Sequence, residues 1–188
     1  MADIIRADKQ GAPGKVWRQR ASGSGYKELV LPRDLVTIDA QTTDAETGAV
    51  SSGDIVHTTI LNFANVVPQV GQSGVITKMR IVDDSAQNAA LELWLFKTSV
   101  TIPAGNAAWA ITDADADQCV GIIRTATDGV WYASSNNGVC VVNGGLTLPL
   151  AFTCDAADTD LYGALIARAT PTLGAATALR VFLTIDRS

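Results

Sequence analysis

From residue 54 onward the chain alternates apolar and polar positions with a period of two. Successive side chains of a strand point to opposite faces, so such alternation predicts half-buried strands. "DIVHTTILNF" places Ile55, His57, Thr59, Leu61 and Phe63 on one side. "VITKMRIV" sets Val75, Thr77, Met79 and Ile81 against Ile76, Lys78, Arg80 and Val82. "LELWLFK" turns Leu91, Leu93 and Leu95 inward and leaves Glu92, Trp94 and Phe96 opposite. "LTLPLAFT" alternates Leu146, Leu148, Leu150 and Phe152 with Thr147, Pro149, Ala151 and Thr153. "TALRVFLTID" does the same with Leu179, Val181, Leu183 and Ile185. "LYGALIARA" is a nearly continuous apolar run. Shorter strand candidates are "AAWAI", "VGIIR", "GVWYA" and "GVCVV".

Turn signals separate these runs: "DDS" at 83–85, "PAGN" at 103–106, "NNG" at 136–138 and "NGG" at 143–145. Evenly spaced strands without long helical patterns predict an all-β, antiparallel β-sandwich, and about eight of them suggest a jelly roll. Pro149 has no ladder donor, so its strand is expected at an edge or a bulge. Trp94 and Phe96 create an apolar outer face, which must be covered by an arm, a loop or another subunit.

Residues 1–53 read differently. "KQGAPGKVWRQRASGSGYKELVLPRD" mixes Gly, Ser, Pro and basic residues with isolated large apolar ones, and "QTTDAETGAVSSGD" is polar and turn-rich. Neither sustains a period of 2 or 3.6. The expectation is an extended N-terminal arm over 1–53, with a short strand at "KELVLP", followed by a sandwich body over 54–188.

Charge sharpens this division. The 188 residues carry a net charge of −5, with 47% hydrophobic and only 18% charged residues. Residues 1–33 hold seven basic against three acidic residues, +4; the remainder holds seven basic against sixteen acidic, −9. A body that acidic repels a phosphate backbone, so nucleic acid is not expected as a partner. A basic arm suits an acidic face of another protein. Three cysteines, Cys119, Cys140 and Cys154, lack paired spacing and read as buried free thiols. The N-terminal "MADIIRADKQ" carries charges where a signal peptide would be apolar, and no apolar run approaches the roughly 20 residues of a membrane span. Synthesis in a reducing cytoplasm and no membrane contact are expected.

Candidate chemistry is sparse. "DADAD" at 113–117 resembles the start of a calcium loop, but the sixth and twelfth positions are Gln118 and Arg124 instead of Gly and Glu. Thr112 three residues before Asp115 is instead a capping box, which predicts a one- to two-turn helix at 113–119. "GAPGK" at 11–15 lacks the Ser or Thr that follows a phosphate-loop lysine. His57, the single histidine, sits on an apolar strand and reads as a packed residue, not a base. Asp155, Asp158 and Asp160 offer paired carboxylates, with a solvated loop as the default. No metal, cofactor or catalytic set is expected. Trp17, Arg18 and Arg20, flanked by Lys15 and Tyr26, form an aromatic–basic cluster with the composition of a protein–protein hot spot.

Two segments together carry a resemblance. "LELWLFKTSVTIPAGNAAWAITDADADQCVGIIRT" is similar to a run found in tailed-bacteriophage structural proteins, with "GNAAWAI" where "DNAAF" is usual. "LTLPLAFTC" followed by "DLYGALIARATPTLGAATALRVFLTID" resembles the C-terminal part of the same proteins. Together they span roughly residues 75–186 and leave out 1–53. The resemblance implies a virion component at the capsid surface, a head decoration (cement) protein binding the major capsid protein. Capsid attachment is then assigned to Lys15, Trp17, Arg18, Arg20 and Tyr26, with a homo-oligomer, a trimer before a dimer. The alternative is a carbohydrate-binding adhesion module of a tail or fibre, with Trp109, Trp131 and Tyr132 as a sugar platform.

Overall fold

The computed structural model describes residues 34–187, together with the backbone of two short strands at 4–7 and 16–19. The chain divides into two compact units, Met1–Arg33 and Asp34–Ser188. In the first, β1 (Ile4–Ala7) and β2 (Val16–Gln19) pair antiparallel, with Ile4 opposite Gln19 and Ala7 opposite Val16. The expected strand at 27–32 lies outside the described residues.

The second unit begins at Asp34, not at residue 54. β3 (Asp34–Gln41) pairs from Asp34 to Gln41 with the C-terminal strand β14 (Leu179–Arg187). Val36 and Ile38 pack on the main core and Ala40 is buried within it, while Thr37 and Asp39 stay exposed. Their alternation is a strand signal, but one octet beside a long polar stretch does not stand out until its partner is known. After a short β4 (Gly48–Ala49) the chain reaches β5 (Leu61–Phe63), β6 (Ser73–Asp83) and β7 (Leu91–Phe96). Next come α1 (Asp113–Ala116), β8 (Cys119–Arg124), α2 (Thr125–Asp128), β9 (Gly129–Ala133) and β10 (Gly138–Val142). β11 (Leu150–Thr153), β12 (Leu161–Ala167) and β13 (Thr172–Leu173) precede β14.

Two large antiparallel sheets result, and β4 pairs with β13 in a separate two-stranded one. One has the order β3-β14-β6-β10-β9, with β11 also on β6; the other has the order β5-β12-β7-β8. Let β3, β5, β6, β7, β8, β10, β12 and β14 be numbered one to eight. The sheets then read 1-8-3-6 and 2-7-4-5. Consecutive strands are thus dealt alternately between the sheets, except the fourth and fifth, which pair with each other; this is the double Greek key of a jelly roll. β9 and β11 are additions to that plan, and both lie at edges.

The main core fills the space between the sheets. Leu91, Leu93 and Leu95 of β7, Met79 and Ile81 of β6, and Val181, Leu183 and Ile185 of β14 are all buried there. The predicted inward face of β14 is therefore the observed one. β6 differs. Its pairing with β14 shifts register between Thr184 and Ile185, so Lys78 faces Thr184 while Ile76 faces Ile185. Thr77 is the extra residue of a bulge, and the inward set changes from Met79 and Ile81 to Ile76, leaving Val75 half-buried.

A second apolar cluster covers the outside of the smaller sheet. Trp94, Phe96, Ala164 and Ile166 pack with Ile55, Val100, Ile102, Trp109 and Ile111. The rings of Trp94 and Trp109 meet edge to face at 5.5 Å. The apolar outer face predicted for β7 is thus covered by the chain's own 97–112 connection. "AAWAI" belongs to that cover and is not a strand of either sheet; it is joined to residues 53–55 by the Ala108–Asp54 bridge and by bonds from the Ile55 amide to Ala107 and from the Trp109 amide to Gly53. Residues 54–60 are not a continuous strand either: Ile55, Val56 and His57 are buried in succession, joined to the sheet by the Ile55–Ile166 bridge. Pro149 follows a cis peptide bond and leads directly into β11, an edge strand held only by β6, as its missing donor requires.

Candidate functional site

Of the residues assigned to capsid attachment, Trp17 and Arg18 lie in β2, in register with Arg6 and Ile5 respectively. Lys15, Arg20 and Tyr26 lie outside the described residues.

In the sandwich, the groups that might have carried catalysis are engaged in holding the fold. His57 is wholly buried; its Nε2 accepts from the Leu165 amide at 2.9 Å and its Nδ1 donates to the Thr59 carbonyl at 2.7 Å. Those two bonds define a neutral tautomer. Burial drives its pKa below the ordinary value against the Thr59 bond and the charge of Asp44. A ring with both nitrogens committed has none left for a substrate proton.

The 155–160 loop is likewise self-contained. Asp158 accepts from the amides of Thr159 and Asp160 and from the Tyr162 hydroxyl at 2.7 Å. Burial works to raise its pKa, but these bonds outweigh it and hold the carboxyl below its usual value. The same bond to Asp158, first, and partial burial push Tyr162 up to about 12. Asp160 accepts from the amide of Asn65 and the side chain of Asn62, and Asp155 from the amide of Ala157.

At "DADAD" the helix occupies 113–116, and the Thr112 hydroxyl accepts from the Asp115 amide at 3.1 Å. The cap at Thr112 is the one expected, but the helix is a single turn and not the 113–119 span, because the chain enters β8 at Cys119. Among the described residues no three His, Cys, Asp or Glu side chains are grouped to hold a metal ion. Cys140 and Cys154 are buried free thiols pushed up to about 11, Cys140 by burial and Cys154 by burial with Asp158 and Asp160.

One charge cluster stands on the outside of the smaller sheet. Glu92 accepts from Arg168 Nη2 at 2.7 Å, from Arg124 Nε at 3.1 Å and from Trp94 Nε1 at 3.3 Å. Burial would raise its pKa, but the bonds from Arg168 and Trp94 and the two guanidinium charges lower it. The cluster ties β8 and the end of β12 together across β7.

An open cleft of about 470 Å³ separates β8 from β11. Lys97, Asp117 and Cys119 stand on one wall, and Phe152 and Thr153 on the other. Cys119 donates weakly to the Gly121 carbonyl, and burial raises its pKa. It is held as a thiol, the unreactive form.

The outer face of the larger sheet remains. Cross-strand register defines two rows, one running Val130, Val141, Arg80, Phe182 and Asp39, the other Tyr132, Val139, Val82, Arg180 and Gln41. Arg80 lies over the Phe182 ring at 4.0 Å from its centre, a cation–π contact. Toward β9 both rows become apolar, and Val130 and Tyr132 are more than half exposed. Sequence reading missed Val130, Phe182 and Arg80 as surface candidates. Their signal was the outward phase of each alternating strand, which looks polar or apolar only after neighbours are assigned.

The proposed sugar platform does not assemble. Trp109 packs on Trp94 outside the smaller sheet, and Trp131 packs on the main core. Only Tyr132 is exposed, at 63%. Compared with known proteins, the chain matches no family model and no curated protein.

Proposed function

We propose that this protein is a non-enzymatic structural component of a tailed-phage virion, a decoration protein that binds the outside of the capsid. Residues 1–33 are the attachment segment, the major capsid protein is the partner, and the sandwich is the rigid body displayed at the capsid surface. The observation that carries this reading is the coincidence of charge and architecture. The chain divides between Arg33 and Asp34, and the same point separates a segment of net charge +4 from one of −9. The boundary read from charge falls where the packing boundary falls.

Two further observations support it. His57, Glu92 and Asp158 are spent on internal hydrogen bonds, as suits a body selected for rigidity. The segments that resemble phage structural proteins correspond to β7 through β8 and β11 through β14.

The test is reconstitution. Capsids lacking the protein are mixed with the purified chain and sedimented. Saturable co-sedimentation that weakens as salt rises is expected, because exposed ionic contacts are screened over roughly 10 Å at 0.1 M salt. Trp17→Ala should lower the affinity by about 2 kcal/mol if it is an anchor residue. Absence of binding to such capsids at low salt would refute the reading.

A further inference from the structure

Among the described residues, three of the five large apolar side chains that stand most exposed gather at one edge: Val130 at 55%, Tyr132 at 63% and Leu146 at 94%. Leu146 belongs there because its amide donates to Asp128 Oδ1, and Asp128 immediately precedes β9. β9 pairs with β10 on one side only. Every second residue of such a strand directs its N–H and C=O away from the sheet. Among the described residues no other strand takes up that free side.

Natural proteins protect free edges with charges, prolines or bulges. The opposite edge, β3, carries Asp34 and Asp39. β9 is "GVWYA", with no charge, no proline and a central run of Val, Trp and Tyr that favours strand pairing. It is also one of the two strands added beyond the eight of the jelly roll. Its occupant must tolerate a body of net charge −9. β9 carries none of that charge and is self-complementary: reversed on itself about Trp131 it sets Gly129 with Ala133 and Val130 with Tyr132, so a second copy presents the same uncharged apolar edge.

We propose that β9 pairs antiparallel with β9 of a second copy, about a two-fold axis through Trp131. Five residues paired in this way set Gly129 opposite Ala133, Val130 opposite Tyr132, and Trp131 opposite itself. No charged residue then meets a like charge within the ladder. On the outer face Val130 and Tyr132 of each copy continue the rows begun by Val141 and Val139. On the inner face each Trp131 already packs against its own core and gains the other indole as a neighbour. The two larger sheets become one. Pairing of identical strands is isologous and uses up both free edges, so the assembly closes as a dimer, not a trimer. The inference does not depend on capsid attachment and is tested without capsids.

The full-length chain is measured by sedimentation velocity over a concentration series, alone and as Tyr132→Lys. The wild-type protein should sediment as twice its 19.7 kDa mass. The variant should weaken dimerisation at least about tenfold, since each copy then brings a cation to the desolvated ladder. Circular dichroism shows whether the variant is folded. A second variant carries both Val130→Cys and Tyr132→Cys, which the register places about 4.5–5.5 Å apart across the axis, within disulfide reach. Oxidation should give a covalent dimer that wild type, with its native cysteines, does not form. A wild-type monomer at about 100 μM, a trimer, or a dimer that neither responds to Tyr132→Lys nor cross-links would overturn the proposal. If Tyr132→Lys fails to fold, the cross-linking result alone decides.

Discussion

His57 shows how a single residue can look like chemistry and act as architecture. Its ring replaces a backbone partner for Leu165 in a stretch where residues 54–60 have left the regular ladder. Removing it strands a buried amide and opens a cavity, so His57→Ala should cost about 3 kcal/mol in denaturant unfolding. The pH dependence has a definite sign. The folded pKa lies below the ordinary 6.5 because burial disfavours the cation. Below about pH 6.5 the unfolded chain therefore binds a proton that the folded one refuses. Stability present at pH 7 should fall as pH drops from there toward 5, and His57→Gln should flatten that slope in thermal melts. Thr112 is a smaller case of the same kind. Thr112→Ala removes the acceptor for the Asp115 amide and should cost about 1 kcal/mol. Excess calcium should leave the wild-type melting temperature unchanged; a rise with calcium concentration would show a ligand of the native state.

At the scale of elements, β7 shows what alternation conveys and what it omits. The pattern "LELWLF" separates Leu91, Leu93 and Leu95 from Trp94 and Phe96 correctly. It does not say what lies over the second face. The structure supplies the 97–112 connection, whose Trp109 closes on Trp94 and Phe96. Trp109→Ala should cost about 2 kcal/mol, less than a fully buried Trp→Ala because the side chain is only partly buried. It should also increase binding of a hydrophobic dye as the outer face opens. Thr125 is a comparable joint at the point where the chain passes from the smaller sheet to the larger. Its buried hydroxyl accepts from the Leu91 amide at 2.8 Å and donates to the Leu91 carbonyl at 3.2 Å. Nothing in "RTATDG" announces this, because the partner lies 34 residues away.

The whole molecule is two units, and each responds to its own deletion. A chain beginning at Asp34 retains every strand of both large sheets. It should unfold with the midpoint of the full-length protein while losing the capsid attachment proposed for residues 1–33. A chain beginning at residue 54 lacks β3, which frees the edge of β14 and removes Val36, Ile38 and Ala40 from the main core. It should be strongly destabilised or insoluble, and denaturant unfolding of the two deletions side by side checks both outcomes. Acid acts on the body as a whole. Asp44, Glu92, Asp128 and Asp158 all have lowered pKa values: in Asp44, Glu92 and Asp158 bonds and charges outweigh burial, and in Asp128 the bond from Thr147 leads. Their stabilisation is complete above the unfolded carboxylate range, about pH 4 to 4.5, and is lost as pH falls through the folded values. It adds to the loss from His57 with the same sign.

The sequence by itself determined the all-β class, the inward faces of β7 and β14, the cap at Thr112, the packed role of His57 and the edge position of Pro149. Each depends on a period of two, on a neighbour within a few residues, or on the chemistry of one side chain. Such information is local, so it can be read along the chain. Only the tertiary structure decided that β3 belongs to the body, that Thr77 bulges, that the 97–112 connection covers Trp94, and that Leu146 is exposed despite its place in an alternating run. The physical reason is common to all four. A jelly roll pairs its first strand with its last, so burial at Val36 is set by residues near 185. A bulge, a cover and an exposed leucine are likewise defined by what lies opposite in space. That partner is chosen by closure of the sandwich, which no window of neighbouring residues contains.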